Sequence, residues 1–222
     1  MGETPIVEAA GSDRVELVAF LVAYNGSEDG SGGCVPASLA KAFSKAAIDG
    51  HIQILQVMME HCGPAVLLVP DDESGETPLH QAVRGFNYMC NDAEVVKFLL
   101  DSGAEVDAVM ELGMTPLCLA SAETEPSAGL VECIQMLVDA GADVNFLWPF
   151  FGTPLELANI SLESALKKVN EGDVNSSSDG DNDDSSAEQN NHQAVVHVQM
   201  IIDILKAAGG IRLKGIIPGF SF

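Results

Sequence analysis

The side chains able to do chemistry are few, and their spacing argues against catalysis. Five cysteines and five histidines are spread over 222 residues. Cys34, Cys62, Cys90 and Cys118 recur every 28 residues, but no close pair such as Cys-x-x-Cys is present to hold zinc. An odd cysteine count without a secretory leader points to a reducing compartment and unpaired thiols. Asp179, Asp181 and Asp183 alternate as in a calcium loop. Asp184 stands where that loop needs glycine, however, and Asn190 where it needs a bidentate glutamate. His61, His192 and His197 lack a serine, cysteine or aspartate at triad spacing. The glycine-rich residues 30–33 lack the Gly-Lys-Ser/Thr of a phosphate loop. The expectation is a chain with no catalytic residue, no metal and no cofactor, and so not an enzyme.

Binding chemistry is better supplied. Phe146-Leu147-Trp148-Pro149-Phe150-Phe151 gathers four of the chain's twelve aromatic residues, including its only tryptophan. Upstream, Val109-Met110-Glu111-Leu112 is a second short apolar stretch. Exposed apolar clusters mark interaction sites on soluble proteins, and large aromatics dominate binding energy at interface centres. Met110, Leu112, Phe146, Leu147, Trp148, Phe150 and Phe151 are therefore the candidate partner-binding residues, with both stretches expected to stand side by side at exposed turns.

The elements that position these stretches repeat. Thr115-Pro116 can open a helix, since threonine accepts from an orphan N–H and proline has none to waste. Leu130, Ile134, Leu137 and Val138 follow at helical spacing, and Gly141 supplies a stop. Thr77, Thr115 and Thr153 are 38 apart, as are Gly103 and Gly141, so both ends of the unit keep step. The copies read as 4–29, 41–66, 77–107, 115–145 and 153–210.

Thr77-Pro78-Leu79-His80-Gln81-Ala82 and Leu137-Val138-Asp139-Ala140-Gly141-Ala142-Asp143-Val144-Asn145 resemble the ankyrin repeat, whose period is about 33. The resemblance implies an all-α solenoid of stacked antiparallel helix pairs joined by short finger turns. It implies structural roles for His80, between adjacent repeats, and for His51. Asn145 resembles the asparagines of such repeats that 2-oxoglutarate-dependent oxygenases hydroxylate, with a turn-stabilising role as the alternative. The extra length of each copy falls between its two helices, at 84–92, 121–128 and 161–193, and these loops should project from one edge. The last is an acidic Ser/Asn/Asp-rich insert, expected to be disordered over most of its length, with the second helix returning at 194–207. Ser176, Ser178 and Ser185 each have an acid three residues on and are candidate phosphorylation sites. Residues 64–76 read as a long finger whose Pro64 and Pro70 oppose helix, and 211–222 as a C-terminal cap or tail.

Charge narrows the partners. The net charge is −23, from 33 acidic and 10 basic residues, and the bases are scattered. Such a balance repels nucleic acid and anionic membrane. No apolar run near the start is long enough to span a bilayer. The reading is a monomeric protein-protein interaction module, cytoplasmic or nuclear, acting as an adaptor or regulatory subunit. The alternative is an acidic inhibitor that masks a basic partner surface.

Overall fold

The computed structural model describes residues 4–25, 37–70, 74–85, 93–149, 151–175 and 185–211. They are all-α, five helix pairs in two compact units, Met1–Pro116 and Leu117–Phe222. The first unit holds α1 (Pro5–Gly11) with α2 (Val15–Asn25), α3 (Ala37–Asp49) with α4 (Ile52–Cys62), and α5 (Pro78–Gly85) with α6 (Ala93–Asp101). The second takes in α7 (Pro116–Ser121) from its second residue, then α8 (Ala128–Asp139), α9 (Pro154–Asn175) and α10 (Ser185–Ala207).

In the first unit α1, α3 and α5 lie in one row, and α2, α4 and α6 in another. Small residues permit this. Ala42 and Ala46 are fully buried on α3, and a Cβ at Gly85 would lie 2.4 Å from the Ile48 carbonyl oxygen. The second row seals the core with the same pattern in each copy. Ile54, Leu55 and Met58 of α4 match Val95, Val96 and Leu99 of α6, all buried. In the second unit Cys133, Ile134 and Leu137 of α8 and Ile201, Ile202 and Leu205 of α10 take those places.

Each of the last three pairs ends in one motif. Gly103, Gly141 and Gly209 have φ near +90° (91, 90 and 91). The following N–H bonds back across the turn, Ala104 to Leu99, Ala142 to Leu137 and Gly210 to Leu205, at 2.9, 3.0 and 2.8 Å. These are Schellman closures, and glycine reaches their left-handed residue without a Cβ penalty.

The start of the first helix is built less uniformly. After Thr-Pro-Leu the copies place His80, Cys118 and Glu156, all at the third helical position. His80 is fully buried; its Nδ1 accepts from the Thr77 N–H (3.3 Å) and hydroxyl (2.9 Å), and its Nε2–H donates to the Met114 carbonyl (3.1 Å). The imidazole thus fastens its own helix start to the next finger, as the resemblance implies. Glu156 instead closes a capping box. Its carboxylate accepts from the Thr153 N–H at 2.9 Å while its own N–H reaches the Thr153 hydroxyl at 3.4 Å.

Three expectations are corrected. The insert at 161–193 is helical over much of its length, because α9 runs on to Asn175 and α10 starts at Ser185 rather than 194. Ala165 is buried inside the expected insert, so apolar packing carries α9 past 161, while Ala194 and Val198 are buried on the helix expected from 194. Residues 176–184 lie outside the described residues. The second pair begins at Ala37, before the expected 41. The stretch after α4 forms a 3-10 helix, Pro64–Leu68, with Val66 and Leu67 buried; Pro64 is tolerated because it occupies the first position, where its missing N–H has no partner to lose.

Candidate interaction surface

Past Gly141 the chain leaves α8 and climbs into a finger. Ala142 and Val144 are buried, while Asp143 and Asn145 are exposed, and the Phe146 N–H closes a turn onto the Asp143 carbonyl at 3.1 Å. The alternation continues through half-buried Phe146, exposed Leu147 (57 %) and half-buried Trp148. There the finger turns. Trp148 and Gly152 exchange N–H to carbonyl bonds of 2.9 and 3.0 Å, closing a hairpin with three residues between them. The Trp148 and Phe151 rings sit 4.8 Å apart between centroids, tilted by 32°, and Phe151 is 43 % exposed.

Gly152 is required at the foot of this hairpin. Its φ is +92°, and an added Cβ would fall within 1.8 Å of the Glu156 carboxylate oxygen. The same contact sets an acidic group beside the base of the aromatic tip. Both feet of the finger are anchored to one stretch of chain. Asn145 donates from Nδ2 to the Gly209 carbonyl (3.2 Å) and accepts at Oδ1 from the Ile211 N–H (2.8 Å). Thr153 donates its hydroxyl to the Ile211 carbonyl at 3.0 Å. The Asn145 amide is thereby committed at both ends, to a stretch more than sixty residues further along the chain.

The other apolar stretch belongs to the first unit and is organised differently. Met110 N–H donates to the Met114 carbonyl at 3.0 Å, and Gly113 N–H to the Met110 carbonyl at 2.8 Å. Val109 and Leu112 are exposed, Leu112 at 65 %, but Met110 is 3 % exposed. Met110 was a candidate contact residue and leaves that set, because hairpin alternation turns it inward beside Ala108. Glu111 N–H donates to the Ser74 carbonyl at 3.1 Å, tying this finger to the preceding one.

Of the other candidates, Phe150, Ser176 and Ser178 lie outside the described residues, and Ser185 is the first residue of α10. Sequence reasoning missed Glu156 and Gly152, although the Thr-x-x-Glu pattern at 153–156 signals the capping box. It also missed a cleft of about 360 Å3 on the helix-connecting edge of the second unit, between Glu125–Ala128 and Asn190–His197 of α10. There His197 donates from Nδ1 to the Pro126 carbonyl at 2.7 Å, a bond that pins the loop.

Burial shifts three of the described reactive groups away from their active forms. Burial lowers the His80 pKa, partly offset by its bond to Met114, and keeps the ring neutral. Burial raises the Cys62 and Cys133 thiols, away from the nucleophilic thiolate. Among the described residues no group of three metal-ligating side chains occurs, and no helix is long and apolar enough to cross a membrane.

Residues 43–147 match a family model described as ankyrin repeats (3 copies). A comparison with curated proteins found no match. Repeats of this family generally mediate protein-protein interaction. With the helix pairs, the repeated Schellman closures, the His80 bridge and this match in hand, residues 43–147 of the chain are ankyrin repeats.

Proposed function

We propose that the chain is a non-enzymatic adaptor or regulatory subunit that captures one partner protein through the finger at 146–152. The observation that carries this reading is the hairpin tip, where Leu147 and Phe151 stand exposed around Trp148 on a foundation fixed at both feet. A preformed tip needs little ordering when a partner docks, so its apolar area is available for affinity. The chain would act as a monomer in the cytoplasm or nucleus, without nucleic acid or membrane as a partner.

The test is affinity capture with mass spectrometry, comparing the native chain with Trp148→Ala and Leu147→Ser. Trp148→Ala should weaken the captured partner by about 2 kcal/mol, and Leu147→Ser should also weaken it while leaving the melting temperature nearly unchanged. Loss of stability with unaltered capture would move the binding site elsewhere. The net charge of −23 favours a second reading, an acidic inhibitor covering a basic surface. In that case capture would fail steeply with salt and ignore both finger substitutions.

A further inference from the structure

Ile211, the last of the described residues, is held at the finger. Its N–H donates to Asn145 Oδ1 at 2.8 Å and its carbonyl accepts from the Thr153 hydroxyl at 3.0 Å. Leu147 lies two residues after Asn145, and Phe151 two residues before Thr153. Each is therefore only about 7 Å of chain from a residue that grips Ile211. Leu147 and Phe151 are the exposed side chains of the tip, at 57 % and 43 %, and Ile211 is itself 58 % exposed.

The sequence that follows suits that surface. Residues 212–222 contain Leu213, Ile216, Ile217, Phe220 and Phe222 and no carboxylate. Eleven residues reach up to ~36 Å when extended, far more than the tip requires, and Pro218-Gly219 is a pair suited to reversing direction. Charge does not decide the match, because both signs stand by the anchor. The Lys206 carbonyl accepts from the Gly209 N–H at 3.1 Å, and the Glu156 carboxylate from the Thr153 N–H at 2.9 Å. Apolar surface decides it, helped by tethering. A segment held this close is present at an effective concentration on the order of millimolar, so a contact too weak to measure between separate molecules can occupy the tip.

Resting on the finger reading above, we propose that residues 212–222 fold back from Ile211 and cover Leu147 and Phe151 in the free chain. The finger's first occupant is then its own following segment, and a partner binds by displacing it. A segment that covers the tip nine-tenths of the time lowers a competitor's apparent affinity about 10-fold.

Trp148 is the chain's only tryptophan and its ring lies 4.8 Å from that of Phe151, so its emission reports from the tip. The experiment compares the native chain with one lacking residues 213–222, which keeps the Ile211 peptide group and its two bonds. A second variant, Phe220→Ser with Phe222→Ser, keeps the full length. Both changes should red-shift Trp148 emission and strengthen its quenching by acrylamide, at an unchanged melting temperature and helix content. Emission and quenching unchanged in both variants would overturn the proposal. A lower melting temperature with loss of helix in both would overturn it too, by making the segment a cap on α9 and α10. Native emission that red-shifts on dilution would replace the intramolecular occupant with the segment of a second copy. The finger reading fails separately, if Trp148→Ala and Leu147→Ser leave capture intact.

Discussion

His80 shows how much of a residue's role is legible before any coordinates. Its place after Thr-Pro-Leu, read through the family resemblance, implied a bond between repeats, and the imidazole does bridge Thr77 to Met114. The cost of that position appears only in three dimensions. The ring is sealed from water, and burial holds its pKa below 6.5. Below pH 6.5 the unfolded chain takes up a proton that the folded ring refuses. The stability contributed by neutral His80 is therefore full above that pH and drains as the pH falls through the folded pKa. Replacing His80 with alanine should cost roughly 1–3 kcal/mol at neutral pH. Urea unfolding of both chains across this range should show their difference shrinking on acidification. A difference constant with pH would mean that His80 contributes packing alone. Met110 teaches the reverse lesson. Its apolar character was visible, but its inward placement is set by the turn that bonds Met110 to Gly113 and Met114, which one-dimensional spacing does not specify.

At the scale of elements, periodicity located the helices and misplaced some of their ends. Thr-Pro openings and glycine stops mark α5 to α8 within a few residues. The far ends of α9 and α10 were hidden because an acidic, serine-rich composition reads as loop, whereas two long helices in mutual contact can carry a polar outer turn on a shared apolar seam. The 3-10 helix was hidden by its prolines, which forbid a helical interior but not a helical first position. Two predictions belong here. Leu137 is fully buried on α8, and Leu137→Ala should cost about 2–5 kcal/mol in chemical denaturation; a smaller loss would mean that the cavity collapses. Gly152→Ala places a Cβ at φ +92° against Glu156 and should cost about 1–2 kcal/mol. The same substitution should change Trp148 emission, since the hairpin bridge must shift; an unchanged spectrum would show that the foot tolerates the strain.

The whole molecule carries −23, and like charges repel within a compact fold. Added salt should raise the melting temperature of the free chain by screening that repulsion. A melting temperature that falls on moving from low to moderate salt would show that attractive pairs such as Lys45–Asp49 and Arg84–Glu76 outweigh the repulsion. The sign of the net charge was plain in the composition. That Glu156 would lie against the foot of the aromatic finger was not, because it depends on the turn closing at Gly152.

The two feet of the finger stand on the same three residues, Gly209 to Ile211, through Asn145 and Thr153. Tension applied to the chain beyond Ile211 therefore reaches both feet at once. The three bonds share the load in parallel instead of opening one after another, so the exit of the polypeptide behaves as a clamp on the finger rather than as a loose thread. A partner bound at the tip, as proposed, would stiffen that clamp, and a pull on the exit would loosen the tip by the same coupling. In a single-molecule pulling experiment from the C-terminal side, a bound partner should raise the force of the first rupture, and Asn145→Ala should abolish the increase. Handling the chain at one end would then register, as a change in force, whether its finger is occupied.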